Sequence, residues 1–319
     1  MENRAFRRFG SEKVKKGKRE KVWIGCFALM LFAAFDGCKS GVTQTAKPVD
    51  MHQVTDDLGR TVTLPVKIRR AISLAPRLTE NIFAVGAGAR LVGVTTYCNY
   101  PEEAKSIQKV GDTISPNLET IVALKPDVVF VSTASQIEAF KNTLEQNGIA
   151  VYVTNPTTMD GVLSDLQKLG GLLGTADETS VLLNSLQERL DDVSERTANE
   201  RSVPVFLQIS REPLFTIGRE SFMTAIIEKA GGRSVTANVE TAYPKLSKET
   251  ALALDPEVII LSASDDNRAA NDAFRNSPAA KNGNVFSVDA DLLSRPGPRL
   301  VDALEQIARD LHPDKFQDR

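Results

Sequence analysis

The sequence has few of the residues that most often build metal sites and nucleophilic catalytic centres. Its 319 residues include two histidines, three cysteines and one tryptophan. His52 and His312 lie near opposite ends of the folded region, so a histidine-rich zinc, manganese or copper site cannot be assembled from them. A Ser-His-Asp triad is not expected either. We therefore predict no metal and no other cofactor.

Long apolar runs are also missing beyond the N-terminus. Hydrophobic residues make up 42% of the chain and charged residues 25%, which is the balance of a soluble globular protein. No later stretch approaches the ~20 apolar residues that a membrane span needs. These figures exclude a polytopic membrane protein and a disordered chain, and the length suits two domains of roughly 120–150 residues each.

Basic residues are also outnumbered by acidic ones beyond the N-terminus. Residues 1–37 carry nine Lys or Arg and four Asp or Glu, whereas the remaining residues carry 30 and 37. The folded part is therefore mildly acidic. Because a nucleic-acid-binding domain usually carries a basic stripe on its surface, we expect no nucleic acid as a partner.

The N-terminus has the pattern of a secretory signal. A basic segment precedes residues 22–35, which carry no charge and are too few for a comfortable membrane span. The pattern predicts a signal peptide of the lipoprotein type over residues 1–37, with Cys38 acylated as the mature N-terminus. A plain signal peptide or an uncleaved anchor is the alternative, because Phe35 and Asp36 depart from the usual lipobox.

The signal-peptide prediction also determines which cysteines remain in the mature chain and what role residues 38–50 have. Cys26 lies inside the predicted signal, so Cys98 is the only other cysteine of the mature chain and no intramolecular disulfide can form. Residues 38–50 are predicted to be a polar tether between the anchor and the folded domain.

Predicted strands and helices alternate after the tether. Strands are expected at 71–75, 91–95, 128–132 and 149–153, and helices at 79–85, 118–124, 135–147 and 159–173. Such alternation predicts an α/β fold with a mainly parallel sheet covered by helices on both faces. We expect Pro76 to end the first of these strands and Thr79 to cap the helix that follows.

One segment interrupts the alternation. Residues 176–200 contain neither Pro nor Gly, and their leucines recur at helical spacing. At about 1.5 Å per residue, a helix here would be about 35 Å long. We predict an N-terminal α/β lobe over 51–174, a backbone helix over 175–200 and a C-terminal α/β lobe over 201–319.

The two predicted lobes share an internal repeat. Residues 119–132 align without gaps on residues 249–262, and seven of the fourteen positions are identical. Equivalent helix–turn–strand units in both lobes predict a pseudo-twofold arrangement with a ligand cleft between the lobes.

Six segments together carry a resemblance to a known family. They are residues 72–88, 92–104, 116–132, 205–222, 242–262 and 294–308. In combination they resemble the extracytoplasmic solute-binding proteins of ABC importers, in the group with a rigid backbone helix. The nearest likeness is to cobalamin binders, with siderophore and heme binders as relatives.

The resemblance implies a function and a location. The chain would be a monomeric receptor held outside the cytoplasm, in the periplasm where there is one, by its N-terminal lipid. It would capture cobalamin between its lobes and pass it to an ABC permease dimer with its ATPase subunits. A ferric siderophore or heme is the alternative cargo.

The resemblance also assigns residues to two roles. Glu119 and Glu249, the first residues of the repeat, correspond to the acidic residues that meet the permease. Each is expected to open a helix, where the helix dipole favours a carboxylate with or without a docking role. Tyr97, Phe215 and Tyr243 correspond to aromatic residues that surround the ligand, and aromatic faces suit a large, flat, partly apolar molecule.

Further cleft residues are expected from the same likeness. Thr113 stands where cobalamin binders have a tryptophan, so one large ring is missing from the predicted wall. Arg295 is a candidate for pairing with carboxylates or chelator oxygens of a ligand, and Arg299 and Arg77 are weaker candidates. A lone Cys98 is more often a bystander than a metal ligand.

An enzyme on a two-lobed α/β scaffold would need chemistry that the sequence lacks. The chain has no phosphate-cradling glycine loop and no nucleophile elbow. We therefore expect a binding protein without enzymatic activity.

Overall fold

The structure, a computed structural model, describes residues 50–133 and 137–317. The predicted signal peptide, Cys38 and all of the predicted tether except Asp50 lie outside the described residues. The described residues all belong to one compact unit. Within it, two α/β lobes are each built on a separate sheet.

The elements follow the predicted alternation closely. The strands are β1 Met51–Thr55, β2 Thr61–Pro65, β3 Ala71–Ser73, β4 Leu91–Val94, β5 Val128–Ser132, β6 Ala150–Thr154, β7 Val203–Ser210, β8 Phe215–Thr216, β9 Gly232–Ser234, β10 Val258–Ala263 and β11 Val285–Asp289. The helices are α1 Pro76–Ala84, α2 Leu118–Ala123, α3 Ile137–Gln146, α4 Met159–Leu173, α5 Ala176–Thr197, α6 Phe222–Lys229, α7 Lys248–Leu252, α8 Pro278–Asn282, α9 Ala290–Ser294 and α10 Leu300–Leu311.

The N-terminal lobe is built on a four-stranded parallel sheet with the order β4-β3-β5-β6. The hairpin β1-β2 forms its own antiparallel pair. Its turn contains Gly59 at φ +74°, a conformation that glycine adopts without strain. The turn also lies against the sheet, since the Asp57 amide donates to the Val153 carbonyl at 3.1 Å.

The C-terminal lobe has a five-stranded sheet with the order β11-β10-β7-β8, and β9 also pairs with β7. Strand β10 is parallel to both β7 and β11, whereas β8 returns antiparallel to β7. In each lobe the carboxyl ends of the parallel strands therefore meet at one edge of the sheet, which is where α/β sheets commonly bind ligands.

Both sheets are buried on their two faces. All five residues of β5 are buried, as expected for a parallel strand covered by helices on both sides. Phe130 in one lobe and Phe206 in the other are fully buried. Burial of such a side chain stabilises the fold by about 1.5–3 kcal/mol relative to leaving it exposed.

The start of α1 differs from the prediction. The helix begins at Pro76, so the prediction of a Thr79 cap is wrong. Proline suits the first helical turn because its missing N–H has no partner there in any helix. Thr79 is instead buried inside the helix, and its hydroxyl donates to Ser73 Oγ at 2.9 Å.

The long helix α5 occupies the segment that lacks Pro and Gly. Its 22 residues span about 33 Å, and it packs against α4 and α10. The leucine spacing of the sequence marks its inner face, since Leu186 and Leu190 are buried. Gly174, at φ +63°, separates α5 from the preceding helix.

The internal repeat has the same local geometry in both lobes. Asn117 caps α2 by accepting from the Thr120 amide at 2.9 Å. Ser247, at the equivalent position, caps α7 by accepting from the Thr250 amide at 3.1 Å. The turn after each helix places a non-glycine residue in the left-handed region: Lys125 at φ 46° and its repeat partner at φ 44°.

Candidate ligand cleft

A cleft of about 740 Å³ lies between the lobes. Its N-terminal wall comes from loops after β3, β5 and β6 and from the loop before α2, and its C-terminal wall from the start of α6, the segment before α7, and α9. The lining residues are Ala75, Pro76, Arg77, Thr113, Ser132, Thr133, Asn155, Pro156, Thr157, Glu220, Phe222, Ala242, Tyr243, Asp291, Ser294, Arg295 and Pro296.

Small polar side chains dominate the N-terminal wall. Ser132 ends β5, Thr133 follows it directly and Asn155 follows β6, which is why these side chains reach the edge of the sheet. Thr133 Oγ1 donates to Asn155 Oδ1 at 2.6 Å, and the backbone amide of Asn155 donates to the Asp57 carboxylate at 2.7 Å. This wall therefore offers hydroxyl and amide groups held in fixed orientations.

Thr113 lies in the cleft wall, on the loop before α2. The loop is held by Asp112, whose carboxylate accepts from the Ile114 amide at 2.8 Å. Gly111, at φ +96°, begins it, and a Cβ there would lie 2.8 Å from the Ser115 carbonyl oxygen. The tight loop brings a small hydroxyl side chain to this position.

Of the three aromatic residues expected in the cleft, one lines it. Tyr243 is 48% exposed and forms part of the cleft wall. Phe215 forms an antiparallel β-bridge with Lys245, which lies two residues after Tyr243, so β8 runs beside the Tyr243 segment. Phe215 itself does not line the cavity. Tyr97 follows β4 at the same edge of the N-terminal sheet and is 63% exposed, also outside the cavity.

Arg295 lies in the cleft wall but is already paired. Its Nη1 donates to Glu80 Oε1 and to Asn99 Oδ1, both at 2.7 Å. Its Nη2 lies 2.6 Å from Asp291 Oδ2. The glutamate and the asparagine belong to the N-terminal lobe, so these contacts join the two lobes.

Arg299 completes the same cluster. Its Nε and Nη2 donate to the two Glu80 oxygens at 2.8 and 2.7 Å, and its guanidinium lies over the Tyr100 ring at 3.9 Å from the centroid. We call this group the inter-lobe clamp. Its members are Glu80, Asn99 and Tyr100 of the N-terminal lobe and Asp291, Arg295 and Arg299 of the C-terminal lobe.

Glu80 is not among the site residues that the sequence predicts. It lies on the buried face of α1, between Leu78 and Ile82, and only 5% of its surface is exposed. A carboxylate at such a position is almost never left without a partner. That placement was a usable signal, although it does not identify the partners, which lie more than 200 residues away.

Arg77 is the second arginine of the cleft and is also paired. Its Nη2 donates to the Thr154 carbonyl and hydroxyl at 2.7 and 2.6 Å, and its Nη1 lies 3.4 Å from Asp165 Oδ2. Burial lowers the pKa of Arg77. Burial also raises the pKa of Asp165 to about 6, and the nearby guanidinium only partly opposes this shift.

Cys98 is buried beside the cleft loops and faces hydroxyl groups. Its Sγ lies 3.1 Å from Thr79 Oγ1 and 3.1 Å from Thr95 Oγ1. His312 packs in the C-terminal lobe, with its Nε2 at 3.2 Å from the Gly231 carbonyl. Among the described residues, no group of three or more His, Cys, Asp or Glu side chains is arranged to hold a metal ion.

Glu119 and Glu249 are exposed and lie in the first turns of α2 and α7. Hydrogen bonds from its own backbone amide and from the Ser247 hydroxyl lower the pKa of Glu249. The two carboxylates thus occupy equivalent positions of the repeat, one on each lobe. None of the described helices combines the length and the apolar character that a membrane span requires.

Comparison with known proteins gives the class to which this geometry belongs. Residues 72–292, more than half of the chain, match the family described as periplasmic binding protein. The chain belongs to this family. It is the substrate-binding component of an ABC importer, which works with a permease and an ATPase, and it is not an enzyme.

Three similar proteins illustrate the range of the family. An uncharacterized ABC transporter substrate-binding lipoprotein of Bacillus subtilis, YvrC, is 28% identical over 94% of this chain and 99% of its own length. The periplasmic vitamin B12 binding protein BtuF of Vibrio cholerae is 28% identical, with a TM-score of 0.69 over 80% of this chain and 100% of BtuF. A periplasmic heme binding protein of Pseudomonas aeruginosa is 26% identical, with a TM-score of 0.68 over 77% and 93%.

Proposed function

We propose that this protein captures cobalamin in the inter-lobe cleft and delivers it to a membrane permease. The observation that carries the proposal is the pairing of both cleft arginines with carboxylates of the protein itself. Arg295 is bound to Glu80 and Asp291, and Arg77 faces Asp165. Neither guanidinium is free for an acidic ligand, so the cleft favours a cargo whose groups are mainly uncharged.

The remaining lining is compatible with a corrinoid. Cobalamin carries amide side chains around a flat ring, and these amides both donate and accept hydrogen bonds. Ser132, Thr133 and Asn155 offer matching hydroxyl and amide groups. Tyr243 adds an exposed ring that can pack on an apolar face of the ligand. The similarity to the vitamin B12 binding protein supports the same cargo.

A ferric siderophore or heme is the second candidate. The observation in its favour is the exposed phenol of Tyr243 in the cleft wall, with a second exposed phenol, Tyr97, after β4, because a tyrosine oxygen can ligate ferric iron. The paired arginines count against it, since heme propionates and catecholate oxygens would compete with Glu80 and Asp291.

We further propose that the exposed carboxylates of Glu119 and Glu249 dock the loaded protein on its permease. Identical residues at equivalent positions of two lobes suit a partner with matched basic contacts. Both are exposed and neither contributes to the cleft.

The N-terminal assignment is also part of the proposal. Residues 1–37 would direct export, Cys38 would carry the lipid, and residues 38–50 would tether a monomeric two-lobed receptor outside the cytoplasm. The YvrC likeness supports the lipoprotein assignment, because that relative is described as a lipoprotein. Replacing Cys38 with alanine should release the protein from the membrane fraction.

Equilibrium dialysis tests the cargo directly. The chain from residue 39 onward, which contains the whole described unit, is dialysed separately against cyanocobalamin, hemin and a ferric catecholate siderophore. Retention of cyanocobalamin at micromolar or tighter affinity supports the proposal. Retention of hemin or the siderophore without cyanocobalamin would replace it with the second candidate.

A further inference from the structure

Glu80 is the central carboxylate of the inter-lobe clamp. Its side chain is 4% exposed and accepts three hydrogen bonds, all from guanidinium groups of the other lobe. Arg295 lines the ligand cleft, whereas Glu80 and Arg299 line a separate cavity of about 280 Å³. The Glu80 carboxylate thus binds Arg295, a residue of the cleft wall, from the side of the smaller cavity.

We propose that Glu80 is a positioning residue for the cleft, which holds Arg295 in the wall and withholds its guanidinium from acidic groups of a ligand. The selectivity half of this inference rests on the proposed cobalamin cargo. The positioning half depends only on the geometry of the clamp.

The charges of the clamp explain both effects. Two carboxylates, Glu80 and Asp291, balance the two guanidinium groups. Removing the Glu80 charge leaves the cluster with one excess positive charge beside the cleft. Because an unpaired buried charge is costly, such a cluster would gain by binding an anion from the cleft.

The distances also define what a conservative change should do. Glu80 reaches Arg295 and Arg299 at the same time through its two oxygens. Aspartate keeps the charge but is one methylene shorter. Glu80→Asp should therefore loosen the positioning and keep the charge balance, whereas Glu80→Gln keeps the length and removes the charge.

The first test needs no cargo. Phenylglyoxal modifies accessible arginines, and the modified sites are identified by mass spectrometry of peptides from the chain that begins at residue 39. In the wild type, Arg295 should react at least tenfold more slowly than Arg268, whose side chain is 75% exposed. Glu80→Gln should speed the reaction at Arg295 at least fivefold and leave Arg268 unchanged.

The second test compares a neutral and an acidic ligand. Cyanocobalamin and its monocarboxylate, in which one side-chain amide is hydrolysed, are titrated into the wild type and the variants. The wild type should bind the neutral corrinoid at least tenfold more tightly. Glu80→Gln should narrow that ratio at least fivefold, and Glu80→Asp should keep it close to the wild-type value.

Asp56→Asn is the matched control. Asp56 is also a buried carboxylate paired with an arginine, since Arg60 Nε and Nη2 both donate to its Oδ2 at 2.9 and 2.7 Å, but it lies in the β1-β2 hairpin and not in the cleft. It should lower stability without changing the labelling of Arg295 or the corrinoid ratio.

The outcomes separate this inference from the proposed function. Unchanged labelling of Arg295 in Glu80→Gln overturns the positioning role. Faster labelling with both corrinoids weakened by the same factor overturns the selectivity role and leaves a structural one. Retention of neither corrinoid by the wild type overturns the cobalamin proposal, and labelling alone then decides the role of Glu80. Retention of hemin instead overturns the cobalamin proposal and the selectivity role, and the labelling of Arg295 again decides the positioning role.

Discussion

The two oxygens of Glu80 on α1 accept hydrogen bonds from Nε and Nη2 of Arg299 at 2.8 and 2.7 Å, across the boundary between the lobes. The two residues are 219 positions apart in the chain. This arrangement needs the planar guanidinium of arginine, because two parallel N–H···O bonds join one side chain to the two oxygens of one carboxylate. The stability of the protein should therefore depend on the shape of the side chain at position 299 and not only on its charge.

Arg299→Lys should destabilise the protein by about 1–3 kcal/mol, because lysine keeps the charge but loses the fork and the stacking on Tyr100. Urea unfolding followed by circular dichroism measures the change. Arg268→Lys, at an exposed position, is the control and should stay within about 0.5 kcal/mol of the wild type. Equal effects of the two substitutions would contradict the role of the fork.

The close approach of the lobes at Gly297 gives a second prediction. A Cβ there would lie within 3 Å of Asn81 Oδ1, on α1 of the other lobe. Gly297→Ala should therefore cost about 1–3 kcal/mol and weaken cargo binding, because either the fully buried Asn81 side chain or the Gly297 loop beside the cleft must shift. Thermal unfolding and a binding titration measure the two effects.

Gly171→Ala provides the opposite control for this substitution. Gly171 is exposed near the end of α4, and a Cβ there would meet nothing within 4 Å. Alanine should stabilise the helix by about 0.5–1 kcal/mol and leave binding unchanged. A destabilised Gly171→Ala would contradict the explanation by steric overlap, because a Cβ at this position meets no neighbouring atom.

Much of this architecture was predictable from local patterns, and the inter-lobe contacts were not. The alternation of strands and helices, the long helix α5 and the repeat follow from periodicity and from Pro and Gly positions within short windows. The Glu80–Arg299 pair depends on tertiary packing that brings distant segments together. No local pattern encodes such a pair, although a carboxylate on a buried helix face indicates that a partner exists.

The aromatic candidates illustrate the same limit at the cleft. Tyr97 follows β4 and Phe215 begins β8, whereas Tyr243 lies in the segment between β9 and α7. Only Tyr243 lines the cavity, so a position near a strand end does not by itself predict that a residue reaches the cleft. The sequence predicts that Arg295 contacts the ligand. It does not predict the clamp, because Glu80 and Asn99 lie 215 and 196 positions away from Arg295 in the chain.

The buried Asp165 makes stability depend on pH. Burial raises its pKa to about 6, whereas an aspartate of the unfolded chain titrates near 3.9. Between about pH 4 and pH 6 the folded state therefore binds more protons than the unfolded state. The contribution of Asp165 to the free energy of unfolding is full below pH 4 and decreases as the pH rises through 6.

Asp165→Asn isolates this contribution because asparagine does not titrate. The difference in unfolding free energy, wild type minus variant, should fall by roughly 2–3 kcal/mol between pH 4 and pH 7. Urea unfolding at four pH values measures it. Asp310, whose pKa is also raised to about 6 by burial, is present in both proteins and cancels. A difference that is constant with pH would place the Asp165 pKa near its ordinary value.

Docking and cargo binding should separate at the two exposed glutamates. Reversing both charges, Glu119→Lys with Glu249→Lys, should abolish uptake of cargo in cells, because matched basic contacts on the permease would face like charges. The affinity of the purified protein for its cargo should stay within twofold of the wild type. Glu178→Lys, in the exposed first turn of α5, is the matched control and should leave uptake unchanged. A loss of affinity in the double variant would assign these residues to ligand binding instead.

Cargo binding should move the lobes only slightly. The helix α5 packs against elements of both lobes, α4 and α10, and the clamp joins the lobes at the back of the cleft. Small-angle scattering of the free and loaded wild type should give radii of gyration that agree within about 0.5 Å, for a protein of this size near 19 Å. Glu80→Gln, which weakens the clamp and keeps α5, should show a larger decrease on loading than the wild type. A large decrease in the wild type itself would mean that neither the helix nor the clamp restrains the lobes.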